Sequence, residues 1–216
     1  TDVFTAKALD IISSPRTREA FDVTKESQAT KEKYGMTATR SARGPNGMAL
    51  GVDQFLLARR LVEAGVSVVT LSFGMWDLHV GLVEGLKQQV PVLDQALYGL
   101  ITDLHDRGLD RDVTVLMWGE FGRGPRVYSA NGQVPGRNHH NQASFAFIAG
   151  GGLRMGQVVG ATDGHGERPI TQPYGAQNVF ATLYRTLGID PSLTLPDHSG
   201  RPMHLLENRE PIAELV

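Results

Sequence analysis

The amino-acid sequence predicts an α/β fold with a mostly parallel central sheet and helices on both faces of that sheet. Runs of apolar, often β-branched residues alternate along the chain with segments of helical period. Strands that are buried on both faces have continuous apolar runs, and Val66–Phe73, Val113–Trp118 and Ser144–Ala149 have this character. Because such alternation is typical of parallel strands joined by covering helices, we expect one sheet built from these runs.

Three longer segments have helical periodicity. Residues 52–64 place apolar side chains on one broad face. Residues 81–107 carry apolar side chains at alternating steps of four and three, and Pro91 is expected to kink this helix or divide it in two. Residues 176–187 repeat the pattern, and Gly188 follows as a helix terminator.

The 216 residues divide into an amino-terminal segment and one domain of ordinary size. Residues 1–50 are predicted to form two or three short helices, broken at Ser13–Pro15, and a glycine-rich connector. Residues 51–216 are predicted to form the α/β domain, with a further short strand at Gln157–Gly160.

Composition excludes several classes of protein. The chain has no cysteine, so disulfides, zinc fingers, iron–sulfur clusters and cysteine nucleophiles are ruled out. Lys and Arg number 21 against 23 Asp and Glu, and this balance gives no indication of nucleic acid as a partner. No apolar run approaches the length of a membrane span, and no leader pattern opens the chain.

Polar loops adjoin the three predicted strands. Asp77 and His79 follow the first strand, Glu120 follows the second, and His139 and His140 come just before the third. Ligands of such folds gather at the carboxyl edge of the sheet, so we expect these side chains to converge there. Carboxylate oxygens and imidazole nitrogens suit a divalent metal ion such as zinc or manganese.

Each of these residues also has a simpler interpretation. Asp77 is a candidate cap for the helix that follows it, Glu120 a candidate salt-bridge partner of Arg123, and the two histidines are candidates for solvated side chains. Arg123 and Arg137 lie beside glycines, which suits them to bind a phosphate or sulfate group of a substrate. The alternative for both arginines is a turn with a solvent-facing side chain.

Six stretches of the sequence, taken together, are specific enough to indicate a relationship to a known family, although no single stretch is. They are LARRLVEAGVSVVTLSFGMWDLH (57–79), VLDQALYGLITDLHDRGL (92–109), TVLMWGEFGRGP (114–125), GRNHHNQASFAFIAGGG (136–152), GQVVGATD (156–163) and DHSGRPMHLL (197–206). With them the chain resembles the carboxyl-terminal part of a large bacterial family of unknown function. Members of that family are secreted, usually with a twin-arginine leader, and are related to the alkaline phosphatase and sulfatase superfamily.

The resemblance implies roles for the candidate residues. Asp77 and His79 match the segment that binds one metal ion, and His139 or His140 matches a late histidine that completes that site. Glu120 stands where the superfamily usually has an Asp-His pair, so a second metal would lose a ligand. The implied cofactor is a divalent ion: zinc, manganese, calcium or magnesium.

The resemblance also implies that the amino-terminal part of the superfamily fold is missing. The superfamily carries its nucleophile and its first metal-binding Asp on an early strand, and nothing before Val52 has that pattern. The chain is therefore expected to be a fragment or a shortened homologue that hydrolyses esters poorly or not at all.

The expected function is that of a metal-dependent hydrolase of phosphate or sulfate esters whose nucleophile segment is absent. The alternative is a non-catalytic domain of the same fold that binds an anion, a glycan or a protein partner. The expected ligand is an anionic small molecule or glycan ester, with no nucleic acid and no membrane span. By resemblance, the expected location is secreted or periplasmic.

Overall fold

The computed structural model describes residues 2–36, 50–129 and 132–216. Residues 37–49 of the predicted glycine-rich connector therefore lie outside the described residues. The chain forms two compact units. The first unit comprises Thr1–Gly108 and Tyr128–Gly136, and the second comprises Leu109–Val127 and Arg137–Val216.

The first unit is helical where the structure describes it. Its helices are α1 (Val3–Ser13), α2 (Pro15–Ala20), α3 (Gln28–Lys33), α4 (Asp53–Glu63) and α5 (Leu82–Asp106), with a 3-10 turn at Val23–Lys25. The side chains of Asp2, Ser14 and Ser27 accept backbone N–H donors at the starts of α1, α2 and α3. The predicted break at Ser13–Pro15 is confirmed, because Ser14 caps α2 and Pro15 is its first residue.

Helix α5 packs against α3 and α4. It runs as a single helix of 25 residues through Pro91, so of the two predicted effects of this proline, a kink or a division, the division is wrong. Pro91 and Lys87, the residue whose carbonyl loses its helical donor, are both exposed, which allows water to satisfy that carbonyl. Leu100 and Leu104 of the predicted apolar stripe are buried, whereas Leu97 is only half-buried.

An ion network is buried where α4 meets α5. The side chain of Arg59 is 1% exposed, and its guanidinium lies 2.7 Å from Glu26 Oε1, 2.7 Å from Glu63 Oε2 and 2.8 Å from Asp103 Oδ2. The Tyr34 hydroxyl donates to Asp103 Oδ2 at 3.0 Å. A buried guanidinium needs such partners on every side, because an uncompensated charge in the interior is very costly.

The predicted strand at Val66–Phe73 is wrong. These residues are described, and none of them belongs to a strand. A β-branched run indicates side chains that fit a pleated, half-buried surface, but it does not supply a partner strand. Val68 is 68% exposed, so this run does not cross the centre of a sheet.

The second unit holds the strands that the structure describes. They are β1 (Thr114–Trp118), β2 (Gly122–Arg123), β3 (His139–His140), β4 (Ala146–Gly150), β5 (Ala161–Thr162), β6 (Pro169–Thr171), β7 (Thr194–Pro196) and β8 (Pro202–His204). They pair as β1 with β4, β2 with β3, β5 with β6 and β7 with β8, and each pair is antiparallel. The predicted α/β fold with a mostly parallel central sheet, of the alkaline phosphatase and sulfatase type, is therefore contradicted.

The connection between β1 and β4 explains the antiparallel pairing. Parallel neighbours need a crossover, usually a helix that returns the chain to the starting edge of the sheet. Between Trp118 and Ala146 the described residues form the β2–β3 pair, an isolated antiparallel bridge between Tyr128 and Gly136, turns and irregular loops, and they contain no helix. The two strands then align with Thr114 opposite Gly150 and Trp118 opposite Ala146.

Helix α6 (Ala176–Thr186) confirms the last predicted helix and supplies core to the second unit. Its Val179 packs with Ile212 and Leu215 near the carboxyl end, and Leu116 of β1 and Ile148 of β4 lie against this cluster. The short strand expected at Gln157–Gly160 is absent from these described residues, and Ala161–Thr162 pairs with β6 instead.

The structure also bears on the membrane expectation. Among the helices in the described ranges, none is both long enough and apolar enough to cross a bilayer.

Candidate functional site

In the first unit, Asp77 and His79 lie on the loop that leads into α5. Asp77 Oδ1 and His79 Nε2 are 3.0 Å apart, and their side chains are 63% and 39% exposed. The buried side chain of Leu78 separates them in sequence and anchors the loop. The Leu78 N–H donates to the Trp76 carbonyl and the His79 N–H to the Asp77 carbonyl, so the backbone turns tightly here.

A buried glutamine of α5 fixes the start of this loop. Gln89 is fully buried, and its Oε1 accepts the Met75 N–H at 2.5 Å while its Nε2 donates to the Met75 carbonyl at 2.8 Å. The indole of Trp76 donates to the Phe73 carbonyl at 2.7 Å. Both contacts restrict the backbone immediately before Asp77, so the acid–imidazole pair is carried on a constrained loop.

The start of α5 is held by a second segment of the same unit. Gly81 and Leu82 donate their backbone N–H groups to the carbonyls of Val134 and Pro135, at 3.2 Å and 3.1 Å. The hydroxyl of Tyr128, from this segment, lies 3.5 Å from His79 Nδ1. These contacts place a polar group beside the ring nitrogen that does not face Asp77.

The Asp77–His79 pair fits two positions of a divalent metal site. Ligand atoms 3.0 Å apart that each lie about 2.1 Å from one ion subtend about 90° at that ion. Metal-bound histidines usually direct their second ring nitrogen at a polar partner, and Tyr128 stands in that position. Oxygen and nitrogen donors together suit zinc or manganese.

In the second unit, the predicted histidines form β3. Arg123 of β2 is opposite His139, and Gly122 is opposite His140. Adjacent strand residues point to opposite faces, and the two rings have different neighbours. The His139 ring lies 4.4 Å from the Phe121 ring, measured between centroids, whereas His140 Nε2 donates to the Glu167 carbonyl at 2.6 Å. His140 therefore has only Nδ1 left for a metal ion.

The predicted anion-binding arginines are engaged with this same hairpin. Arg123 Nη1 donates to the Arg137 carbonyl at 3.3 Å, and Arg137 Nη2 donates to the Arg123 carbonyl at 3.2 Å. Arg137 Nε also donates to the Gly124 carbonyl. These guanidinium groups therefore tie the two strands of the hairpin together.

Glu120 follows β1 by two residues and its side chain is exposed. It makes no ion pair or hydrogen bond with any side chain in the part of the chain that the structure describes. In the first unit, Asp77 lies beside His79. In the second unit, Arg123 contacts Arg137 and pairs with His139 across the hairpin. Glu120 belongs to neither of these groups.

Two positioning residues escape prediction from the sequence. Gln89 lies on the same buried helical face as Gly85 and Ala96. In the sequence, the one signal of its hydrogen bonds to the loop is that it is a polar residue on an otherwise apolar face. Tyr128 lies far from His79 in sequence, and no local pattern indicates their proximity.

Comparison with known proteins identifies the family. The model of a family described as protein of unknown function (DUF1501) matches residues 2–216. The chain belongs to this family, which confirms the resemblance to a family of unknown function. No curated protein and no solved structure matches the chain.

Proposed function

We propose that this chain binds a divalent metal ion through Asp77 and His79, and that it is a metal-dependent protein of the phosphate- or sulfate-ester hydrolase type. The observation that carries the proposal is the 3.0 Å separation between Asp77 Oδ1 and His79 Nε2 on a constrained, accessible loop. The resemblance of the surrounding sequence to relatives of alkaline phosphatases and sulfatases supports it, and supports a secreted or periplasmic location.

The two side chains have distinct tasks in this proposal. Asp77 supplies a negatively charged oxygen, and His79 supplies a neutral imidazole nitrogen. The hydroxyl of Tyr128 orients the His79 ring, and the hydrogen bonds between Gln89 and Met75 hold the loop in place before the metal ion binds. A divalent ion held there would polarise an ester oxygen as a Lewis acid.

The sequence indicates three further candidate metal ligands: His139, His140 and Glu120. Of these, His140 already donates Nε2 to a carbonyl, which makes His139 the stronger candidate of the two histidines. Replacement of each residue by Gln in the whole protein tests its contribution separately.

Metal binding is the first test. Calorimetric titration of the chelator-treated protein with Zn²⁺ or Mn²⁺ should show binding that Asp77→Asn and His79→Gln each weaken by about tenfold or more. His198→Gln is the matched control, because His198 is also an exposed histidine beside an aspartate. The proposal is wrong if the wild type binds no ion, or if all three variants bind it equally.

Hydrolysis is the second test. No Ser or Thr in the sequence matches the nucleophile position of the superfamily, and nucleophilic ester hydrolysis depends on such a residue. We therefore expect turnover of aryl phosphates and aryl sulfates well below about 1 s⁻¹ with the ion present. Faster turnover that Asp77→Ala abolishes would show that a nucleophile exists elsewhere in the chain.

A non-catalytic anion-binding role is the second candidate. It is favoured by the sequence, in which no Ser or Thr matches the nucleophile position that hydrolysis needs. Arg123 and Arg137 donate to carbonyls of the protein, so the groups that bind the anion would lie elsewhere. The two candidates differ in the residual rate: the first permits slow ester hydrolysis that depends on the metal ion and on Asp77, whereas the second permits none.

A further inference from the structure

The second unit contains an open cleft of about 270 Å³ that the sequence analysis does not assign. Its walls are formed by Pro125, Arg126, His165 and Glu167. The cleft therefore brings together a guanidinium, an imidazole and a carboxylate from two segments that lie far apart in the sequence.

One wall of the cleft is built by a tight loop around Asp163. Asp163 Oδ1 accepts the Glu167 N–H at 2.8 Å and the His165 N–H at 3.2 Å. These backbone donors, that of Glu167 first, hold the pKa of Asp163 below its usual value. His140 also donates to the Glu167 carbonyl at 2.6 Å. The backbone that carries His165 and Glu167 is thus fixed from both sides.

Arg126 differs from the neighbouring Arg123 and Arg137. Its side chain is exposed and lines the cleft, and within the described ranges it forms no ion pair or hydrogen bond. The His165 side chain is exposed and that of Glu167 is half-buried, and within the described ranges neither side chain forms an ion pair or hydrogen bond. The guanidinium fork matches the geometry of phosphate, sulfate and carboxylate oxygens, and an imidazole N–H adds a second donor.

Glu167 limits the ligand that the cleft accepts. A carboxylate beside the guanidinium repels a highly charged anion, yet it accepts hydrogen bonds from hydroxyl groups. The volume of the cleft exceeds that of an isolated phosphate or sulfate group, so the ligand has room for a hydroxylated portion.

We propose that this cleft binds a phosphate or sulfate ester that carries free hydroxyl groups, such as a sugar ester. Arg126 and His165 hold the ester oxygens, and Glu167 accepts the hydroxyl groups. The proposal concerns only residues of the second unit and needs no metal ion, so it stands or falls separately from metal binding at Asp77 and His79.

The test is a titration of the whole protein in the presence of a chelator, followed by calorimetry and by NMR of the His165 ring. A sugar monophosphate, the matching sugar monosulfate and the uncharged sugar are compared. We expect at least one ester to bind and to shift the His165 signals, and the uncharged sugar to bind at least about tenfold more weakly. The better of the two esters identifies the anionic group.

Three variants examine the assignment. Arg126→Gln should weaken ester binding by about tenfold or more, because it removes the charge-assisted hydrogen bonds, and Glu167→Gln should reduce the preference for the sugar ester over inorganic phosphate or sulfate. Arg168→Gln, an exposed arginine beside the cleft loop, should leave binding unchanged. Absence of binding by the wild type, or equal affinity of the Arg126 and Arg168 variants, overturns the proposal.

Discussion

Arg59 is the most deeply buried charged residue among the described residues of the first unit. Its guanidinium is almost completely removed from water and contacts three carboxylates, of which Asp103 is buried and Glu26 is largely shielded. Glu26 and Asp103 are 10% and 7% exposed, whereas Glu63 is more accessible. This single side chain therefore links α4, α5 and the turn that precedes α3.

We predict that Arg59→Met lowers the free energy of unfolding by about 3 kcal/mol, because it leaves buried carboxylates with fewer partners. The loss is moderated by Arg60, which still contacts Glu26, and by Arg107, which still contacts Asp103. Urea denaturation followed by circular dichroism measures the change. Lys87→Met is the control, since among the described residues Lys87 pairs only with exposed Glu84, and its loss should shift stability by less than about 0.5 kcal/mol. Equal effects of the two variants would contradict a stabilising role for the network.

The same network predicts a pH dependence. Burial raises the pKa of Glu26 and of Asp103, but hydrogen bonds and charge from their arginine partners outweigh burial and hold each pKa below its usual value of 4.5 or 3.8. The unfolded chain then binds more protons than the folded protein in this range. Stability from these groups is complete at neutral pH and is lost as pH falls below about 5. Urea denaturation from pH 7 to pH 3 should show this decline, with a shallower slope in Arg59→Met.

Gln89 allows a local prediction about the candidate metal loop. Gln89→Leu removes the acceptor of the Met75 N–H, so the Met75 amide should exchange with deuterium at least about tenfold faster. Gln88→Leu is the matched control because Gln88 is exposed on the same helix. Hydrogen exchange measured by mass spectrometry separates the two variants. An unchanged exchange rate at the Met75 amide would mean that the conformation of the loop does not depend on its hydrogen bonds to Gln89.

At the level of elements, helices follow from the sequence more directly than strand pairing does. The period of residues 52–64 and 176–187 identifies α4 and α6 to within about two residues, because a helix makes its hydrogen bonds internally. Val113–Trp118 and Ser144–Ala149 are also confirmed as strands. Their antiparallel pairing depends on distant partners, which periodicity does not reveal.

The residues of the candidate site also differ in how far the sequence predicts their contacts. Asp77 and His79 are close in sequence, so a tight turn suffices to bring them together. The glycine beside Arg137 predicts an anion-binding group or a solvent-facing turn. The hydrogen bonds that Arg137 makes to hairpin carbonyls depend instead on the β2–β3 pairing. Side chains whose partners come from another element are therefore the ones that sequence reasoning assigns incompletely.

Two leucines of helix α5 test whether the loss of stability on truncation follows the burial of the side chain. Leu100→Ala should lower the free energy of unfolding by about 2–5 kcal/mol, because Leu100 is buried and its truncation leaves a cavity. Leu97 lies three residues before Leu100 on the same side of the helix and is only half-buried, so Leu97→Ala should cost clearly less. Urea denaturation of both variants measures the difference. A larger loss from Leu97→Ala would contradict the burial that the structure assigns to these two leucines.

At the level of the whole molecule, the two units are interleaved along the chain. The chain leaves the first unit after Gly108, returns to it for Tyr128–Gly136 and then completes the second unit. The returning segment is part of the first unit's hydrogen bonding, since Val134 and Pro135 accept donors at the start of α5. Neither unit therefore corresponds to one continuous stretch of sequence.

This interleaving has a consequence for synthesis on the ribosome. The amino terminus emerges first, yet the first unit remains unfinished until the carbonyls of Val134 and Pro135 have left the exit tunnel. By then Leu109–Val127 of the second unit is already outside, without the Arg137–Val216 segment that completes it. We therefore expect nascent chains to expose a partly formed second unit while the first one closes.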